Sequence, residues 1–181
     1  MEKKNNSVIR VALIGPESTS KSTLSELLAK HYKTVWVKEY AREYLSNIKR
    51  KYTIDDVVEI AKEQLEQELQ LIKTANRIIF VDTELIISKV WCLDVFKECP
   101  DWISENLIRN KYDFYLLTSP DLPWKEDALR ENPHRRELLF DWYEKELKVA
   151  NANYAVVKGV GDSRLKNSIS LIEKYITSIQ N

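Results

Sequence analysis

Glycine is scarce in this sequence, with three residues among 181. Glycine-rich linkers and repeats are therefore excluded, and each glycine marks a place where the backbone needs unusual freedom, because glycine adopts left-handed conformations without strain. Gly15 follows an apolar run near the start of the chain, whereas Gly159 and Gly161 follow another near its end. We expect special backbone geometry at both places.

Cysteine and histidine are also scarce, with two residues each. Cys92 and Cys99 lie seven positions apart, a spacing that suits buried thiols better than a disulfide. His31 and His134 are isolated from each other and complete no zinc site with the cysteines. We therefore expect free thiols in a reducing compartment and no structural metal.

The sequence has no net charge and no long hydrophobic run. Lys plus Arg and Asp plus Glu both number 28, so no overall field attracts the chain to nucleic acid or to an anionic membrane. No apolar run reaches the roughly 20 residues that cross a bilayer, and the first ten residues lack the apolar core of a signal peptide. We expect a cytoplasmic protein without nucleic-acid or membrane partners; its oligomeric state stays open.

Five apolar runs predict β-strands, and helical patterns alternate with them. The predicted strands are Ser7–Ile14, Thr34–Glu39, Arg77–Asp82, Asp113–Thr118 and Asn153–Gly159. Strands that alternate with helices form a parallel sheet with helices on both faces. Because no repeat, linker or second domain interrupts this alternation, we predict one three-layer α/β/α domain with about five parallel strands over residues 1–181.

The helices are predicted from apolar residues that recur every three or four positions. The face of a first helix, Lys21–Tyr32, consists of Leu24, Leu27, Leu28 and His31. Thr53 and Asp56 resemble a capping box, and the long helix that follows has the stripe Ile54, Val57, Val58, Ala61, Leu65, Leu69 and Ile72. A short helix is expected over Glu39–Ser46, and helical segments between the third and fourth strands extend to Asn110. A closing helix has the stripe Leu165, Ile169, Ile172, Ile176 and Ile179.

The stretch "GPESTSKST", from Gly15 to Thr23, is one residue away from the phosphate-binding pattern G-x-x-x-x-G-K-[ST]. Lys21 is expected to reach the β- and γ-phosphates of ATP, and the Ser22 hydroxyl to help hold Mg²⁺. The alternative is a polar turn without a ligand, but its place between a strand and a helix favours a nucleotide site. The predicted nucleotide-binding residues are Gly15, Ser18, Thr19, Ser20, Lys21, Ser22 and Thr23.

Ser20 occupies the place of the second glycine in this pattern. If the position has left-handed dihedral angles, serine costs on the order of 1 kcal/mol, and its Cβ crowds the phosphates. If the position has helix-entry geometry, serine fits and caps the helix. The sequence does not give the dihedral angles, so both interpretations stay open; we favour a working site.

Acidic residues stand at the ends of two predicted strands. Asp82 is where a phosphate-loop enzyme places the carboxylate that serves Mg²⁺, although a helix cap is the alternative. Glu84, two residues on, is expected to support it. Glu39 either accepts the proton of a substrate hydroxyl or only favours a helix N-terminus, and spacing alone does not decide. Arg42, one turn along, would meet a phosphate or pair with Glu39.

The proline-bearing stretch after the fourth strand contains Arg130, Arg135 and Arg136. Phosphoryl transfer needs positive charge over the transferred group, which a lid commonly supplies. Arg130 is the preferred candidate, and an ordinary solvated charge run is the alternative. Trp91 and Trp124 are placed near the same edge, where an aromatic face stacks on a heterocycle, although core packing is the commoner use of tryptophan.

Several blocks of the sequence together resemble the ribosylnicotinamide kinase domain of bacterial NadR-type proteins. The blocks are "GPESTSKSTL", "VWVKEYAREYL", "DTE" followed by "KVWC", and "YLLTSPDLPWKEDALRENPHRRELLF". The resemblance extends from about Val8 to the closing helix. It implies a P-loop kinase fold, with Gly15, Lys21 and Ser22 as the phosphate loop, Asp82 near Mg²⁺ and Arg130 in the lid.

The resemblance also implies an activity, the ATP- and Mg²⁺-dependent phosphorylation of nicotinamide riboside to its mononucleotide. Lys21, Glu39, Asp82 and Arg130 are the expected catalytic residues, and Ser22 and Asp82 the metal ligands. The sequence departs from the family at Ser20 and in "DTE" where "DTD" is expected. It lacks the H-x-G-H-like loop of a nucleotidyltransferase, so no dinucleotide synthesis is expected. A kinase of another nucleoside or nucleotide, or a weakened nucleotide-binding regulatory domain, is the alternative.

Overall fold

A computed structural model describes residues 8–180, and these form a single five-stranded parallel sheet with helices on both faces. The strands are β1 (Ile9–Ile14), β2 (Trp36–Val37), β3 (Ile78–Asp82), β4 (Phe114–Thr118) and β5 (Tyr154–Val157). Their order across the sheet is β2-β3-β1-β4-β5, and every neighbouring pair is parallel. The predicted fold class is confirmed. Ser7, the first residue of the first predicted strand, lies outside the described residues.

The helices connect the strands in the predicted alternation. They are α1 (Lys21–Tyr32), α2 (Tyr40–Asn47), α3 (Ile54–Leu71) with a 3₁₀ turn (Ile72–Thr74), α4 (Leu85–Val95), α5 (Asp101–Arg109), α6 (Arg136–Val149) and α7 (Gly161–Gln180). The Thr53–Asp56 capping box at the start of α3 is present, with both of its reciprocal hydrogen bonds.

Two features of the secondary structure differ from the sequence prediction. β2 has two residues instead of six, because the chain leaves the sheet after Val37 to begin α2. α6 was not predicted, although its buried residues, Leu139, Tyr143 and Leu147, recur every four positions as on one face of a helix. Its burial depends on the sheet face on which it packs.

The hydrophobic core lies on both faces of the sheet, since alternate strand residues point to opposite sides. On one face, Val11 and Leu13 pack with Leu24 and Leu28 of α1 and Ile172 of α7. The opposite face carries a second cluster, which consists of Ala12, Ile14, Val37, Ile79, Val81, Ile86, Val90, Tyr112, Tyr115, Leu117, Leu139, Tyr143 and Leu147. A third cluster joins α3, α4 and α5. The sheet and the helices on its two faces are the three layers predicted from the alternation.

The buried face of α1 is narrower than its sequence pattern indicated. Leu27 is 39% exposed and His31 is exposed, whereas Ser25 and Ala29 are buried beside Leu24 and Leu28. Small residues let the helix approach the sheet closely, so one edge of the predicted stripe faces solvent. Leu69 of α3 and Ile179 of α7, which also belong to predicted apolar stripes, are exposed as well. Cys92 and Cys99 are free thiols, as predicted.

No helix among residues 8–180 is both long and apolar enough to cross a membrane. β1 lies at the centre of the sheet, between β3 and β4. Because all strands are parallel, the carboxyl ends of β1, β3 and β4 meet at one edge, which is where ligands bind in open α/β sheets. The segments that follow these three strands therefore form the candidate site.

Candidate functional site

The loop between β1 and α1 packs tightly against the end of β4. Gly15 has a φ of 144°, and a Cβ at this position would lie 2.7 Å from the carbonyl oxygen of Thr118. The hydroxyls of Thr19 and Thr118 share a hydrogen bond of 2.7 Å, and Thr118 Oγ1 also lies 3.1 Å from the Ile14 carbonyl. Glycine is thus required at position 15 by the close approach of two backbone segments.

Ser20 has left-handed dihedral angles, with φ 63° and ψ 25°, and its side chain makes no capping hydrogen bond to α1. Of the two interpretations left open by the sequence, the structure has the strained one. α1 carries no acidic side chain in its first turn, so its free N–H groups and positive dipole end meet no carboxylate of their own. The loop and helix start are therefore open to an anion.

Lys21 bends back over the loop, where its Nζ donates to the carbonyl oxygen of Pro16 at 3.0 Å. Ser22, the next residue, is exposed. All seven predicted nucleotide-binding residues line one cavity of about 1500 Å³, which Glu39, Arg42 and Arg130 also line. The residues predicted to bind the nucleotide therefore line the same cavity as Glu39, Arg42 and Arg130. The part of the cavity around Glu39 and Arg42 is called the acceptor side below.

Asp82 ends β3 behind this cavity and is 1% exposed. Neither of its carboxylate oxygens has a hydrogen-bond partner among residues 8–180. Burial raises the pKa of the Asp82 carboxyl and repulsion from Glu39 adds to this effect, whereas Lys21 lowers the pKa. A buried carboxylate without partners is costly. The two oxygens of Asp82 are therefore candidates for binding a ligand.

Glu39 precedes α2 at the N-cap position, yet its side chain makes no capping hydrogen bond. It lines the cavity and lies close enough to Asp82 to raise the pKa of that carboxyl. Its carboxylate is thus not used to cap the helix and is available to a ligand.

The "DTE" segment turns sharply after β3. Thr83 has a φ of 76°, and its buried hydroxyl has no hydrogen-bond partner among the described residues. Glu84 is buried at the N-cap of α4, where one carboxylate oxygen accepts a hydrogen bond from the Ile86 N–H at 2.9 Å. Burial raises the pKa of Glu84 to about 8. Glu84 supports the start of α4 and does not line the cavity.

Residues 119–135, between β4 and α6, form a segment that covers the phosphate loop and is called the lid segment below. Ser18 Oγ accepts a hydrogen bond from the Lys125 N–H at 2.9 Å. The Glu17 carboxylate accepts from the backbone N–H groups of Glu131 and Asn132, at 3.3 and 3.0 Å. Two side chains of the loop therefore hold the lid segment down.

A salt bridge joins the other side of the cavity to the lid segment. Arg42 of α2 lies 2.8 Å from the carboxylate of Asp127. Arg42 was expected to meet a phosphate or to pair with Glu39, but its partner is Asp127. It ties the acceptor side of the cavity to the lid segment.

The three arginines proposed for the lid have different surroundings. Arg130 lines the cavity, and its guanidinium donates to the carbonyl oxygen of Lys125. Arg135 pairs with Asp94 at 2.6 Å, and Arg136 donates to the Leu122 carbonyl oxygen at 2.8 Å. Arg135 and Arg136 do not themselves line the cavity, which leaves Arg130 as the candidate.

The two tryptophans considered for stacking also differ. Trp91 lines the cavity, and its Nε1 donates to the Tyr52 hydroxyl at 3.2 Å. Trp124 lies outside the cavity lining, with the Arg136 guanidinium 5.9 Å from its ring centre. Of the two tryptophans, Trp91 is therefore the one that a ligand in this cavity would meet.

Arg164 is a residue of α7 that is 3% exposed and that was not predicted from the sequence. Its guanidinium donates to the carbonyl oxygens of Thr19 at 3.1 Å, Ser119 at 2.9 Å and Gly159 at 2.8 Å. It also pairs with Asp121 at 2.6 Å. Arg164 thus connects the phosphate loop with the segments after β4 and β5; the rare glycines near position 160 were the only signal for it in the sequence.

Comparison with known proteins places this geometry in a family. A family described as AAA domain matches residues 10–164. The chain belongs to this AAA-domain family. The phosphate loop, Asp82 and Arg164 all lie within the matched residues.

A curated relative of this AAA-domain protein is the trifunctional NAD biosynthesis/regulator protein NadR of Salmonella typhimurium. The two are 26% identical over 173 residues, which cover 92% of this chain and 42% of the relative. The resemblance to NadR-type proteins is thereby confirmed as a similarity of sequence. The chain spans less than half the length of that relative.

Two solved structures share the fold. The crystal structure of a NadR protein in complex with NR has a TM-score of 0.75 and 23% identity, and the match covers 93% of this chain and 52% of that one. A deoxyadenosine kinase from M. mycoides has a TM-score of 0.60 and 17% identity, with 94% and 100% of the chains covered. The predicted P-loop kinase-like fold is confirmed.

The left-handed serine leads to a prediction about stability. Ser20→Gly should raise the free energy of unfolding by about 1 kcal/mol, because glycine adopts these dihedral angles without strain and no capping bond is lost. Ser170→Gly, an exposed position inside α7, is the matched control and should lower it by about 0.5 kcal/mol. Urea unfolding measures both values. Destabilisation by Ser20→Gly would show that the serine side chain stabilises the loop; calorimetric titration of ATP then reports whether the Cβ also hinders binding.

The contacts of Glu17 lead to a prediction about the lid segment. Glu17→Ala removes the acceptor of two backbone N–H groups, so residues 119–135 should open more often. Trypsin should cleave after Lys125 or Arg130 roughly tenfold faster, which corresponds to about 1.4 kcal/mol. Cleavage is located by mass spectrometry, and Glu26→Ala, an exposed change on α1, is the control. Equal cleavage rates in the two variants would show that Glu17 does not hold the segment.

Proposed function

We propose that residues 1–181 form a single kinase domain that transfers the γ-phosphate of ATP to the 5′-hydroxyl of nicotinamide riboside. The observation that carries the proposal is the buried carboxylate of Asp82, which has no partner and lies close to Lys21, Ser22 and Glu39. The similarity to NadR, whose name refers to NAD biosynthesis, supports this choice of acceptor. So does the shared fold with a NadR protein in complex with NR.

The phosphate loop would bind the triphosphate through backbone N–H groups and the N-terminus of α1. Lys21 would leave the Pro16 carbonyl oxygen, its partner at 3.0 Å, and donate to the β- and γ-phosphates instead. A charge-assisted hydrogen bond to phosphate is stronger than a bond to a neutral carbonyl, so this exchange is favourable. Lys21 would thus place a mobile ammonium group beside the phosphates of ATP.

The residues present fit a magnesium ion. Asp82 offers two oxygens without partners, and Ser22 offers an exposed hydroxyl one position after the loop lysine. Residues 8–180 contain no cluster of three or more His, Cys, Asp or Glu side chains. Mg²⁺ does not need one, because it typically binds one or two protein oxygens together with phosphates and waters. When bound, Mg²⁺ neutralises charge on the phosphate oxygens.

On the acceptor side, Glu39 would orient the 5′-hydroxyl and take up its proton as the hydroxyl oxygen attacks the γ-phosphorus. The bond from that phosphorus to the ADP oxygen breaks, and ADP leaves with the electron pair. Arg130 would exchange its bond with the Lys125 carbonyl for the transferred phosphoryl group and stabilise its charge. Trp91 provides an aromatic wall for the flat base.

The proposal is tested by the product that the protein makes. With ATP, Mg²⁺ and nicotinamide riboside, we expect the mononucleotide and equimolar ADP, resolved by chromatography. A panel of other nucleosides and nucleotides in an ADP-release assay is the comparison. Turnover of another acceptor without turnover of nicotinamide riboside overturns the substrate assignment, and ADP release from none overturns the kinase.

The environment of Asp82 leads to a prediction with opposite effects on activity and stability. Asp82→Asn removes the buried charge, so the free energy of unfolding at pH 7 should rise, whereas turnover should fall at every Mg²⁺ concentration. Asp141→Asn, an exposed change on α6, is the control and should alter neither quantity. Urea unfolding and the ADP-release assay give the two values. An Asp82→Asn variant with normal turnover would remove Asp82 from the mechanism.

A further inference from the structure

Gln64 is a buried residue in the middle of α3 whose carboxamide is bound at both ends. Its Oε1 accepts a hydrogen bond from the backbone N–H of Tyr40 at 2.8 Å, and its Nε2 donates to the backbone carbonyl oxygen of Asp82 at 3.3 Å. A backbone N–H only donates and a carbonyl only accepts, so these partners fix the orientation of the amide group.

The two backbone groups belong to the segments that carry the candidate carboxylates. Tyr40 directly follows Glu39, and the carbonyl oxygen that Gln64 binds is that of Asp82 itself. The side chain of Gln64 thus spans the gap between the acceptor side and the proposed metal side of the cavity.

Strand pairing does not hold these segments together. β2 pairs with β3 at Trp36 with Phe80 and at Val37 with Val81, and β2 ends there. Beyond Val37 the chain turns into α2, so the ladder that would continue to the end of β3 is absent. The Gln64 carboxamide makes one bond to each segment where the ladder stops.

The same contact gives an acceptor to the first N–H group of α2. The first N–H groups of a helix have no partner within it and need an external acceptor. Gln64 supplies the acceptor for Tyr40, the first residue of α2, while the Glu39 side chain makes no capping bond. Since Glu39 and Asp82 also repel each other, a fixed link between their backbones restrains their separation.

We propose that Gln64 is a positioning residue, which sets the distance between the Glu39 carboxylate and the Asp82 carboxylate during phosphoryl transfer. The inference rests on the proposed kinase function. Gln64 binds none of the phosphate-loop residues, so its effect falls on the alignment of acceptor and metal, not on the affinity for ATP. Misplacement of reacting groups by about 1 Å costs up to roughly 10²-fold in rate.

The test is Gln64→Met, which keeps the length and packing of the side chain and removes both hydrogen bonds. We expect kcat to fall about 10- to 100-fold, while the dissociation constant for ATP stays within about twofold of the natural protein. Gln70→Met, an exposed change in the same helix, is the matched control and should leave kcat unchanged. Gln64→Glu keeps the acceptor for Tyr40 and loses the donor to Asp82. The kcat of Gln64→Glu should lie between those of Gln64→Met and Gln70→Met. Gln64→Glu is the variant to measure if Gln64→Met does not fold.

Two results overturn the inference: a kcat of Gln64→Met equal to that of Gln70→Met, or a loss of ATP affinity as large as the loss of kcat. Amide hydrogen exchange by NMR tests the link independently of activity. The Tyr40 amide should exchange faster in Gln64→Met while amides in the centre of α3 keep their rates. An unchanged exchange rate of the Tyr40 amide in Gln64→Met overturns the link, whether or not the natural protein phosphorylates an acceptor. If the Tyr40 amide exchanges faster but the natural protein phosphorylates no acceptor, the link stands. The proposed function is then overturned, and with it the role of Gln64 in phosphoryl transfer.

Discussion

The site depends on one carboxylate that the fold encloses without giving it a partner. Asp82 lies at the end of a central strand, and no described residue donates a hydrogen bond to either of its oxygens. Desolvation of this kind destabilises a protein unless a ligand compensates it. The groups near it are a lysine and a serine at the start of α1, and a glutamate from the segment after β2.

Backbone groups near the cavity are held mainly by long polar side chains from elsewhere in the chain. Arg164 binds carbonyl oxygens of the phosphate loop and of the segments after β4 and β5. Glu17 binds N–H groups of the lid segment, and Gln64 joins the start of α2 to the end of β3. Because strand ladders end where the loops begin, these side chains continue the restraint beyond the sheet. The side chains that restrain these segments are therefore different from those proposed to meet the ligand.

The similarity to NadR covers most of this chain but less than half of that relative. The phosphate loop and Arg130 of the segment after the fourth strand line one cavity, and Asp82 ends the third strand behind it. Glu39 and Trp91 line the same cavity. Their presence there supports the proposal of nicotinamide riboside as the acceptor.

The sequence by itself determined the alternation of strands and helices, the phosphate loop and the positions of Asp82 and Glu39, because these follow from local periodicity and from motif spacing. It failed at the outer edge of α1, where burial depends on which surface packs against the helix. α6 carries the four-residue spacing of a helix face in its sequence and was overlooked. Only the tertiary structure decided that Ser20 is left-handed, that Glu39 is not a helix cap and that Arg130 faces the cavity whereas Arg135 does not. Contacts such as those of Tyr40 with Gln64 and of Arg135 with Asp94 join residues that are distant in the chain, and no local pattern of residues specifies such partners.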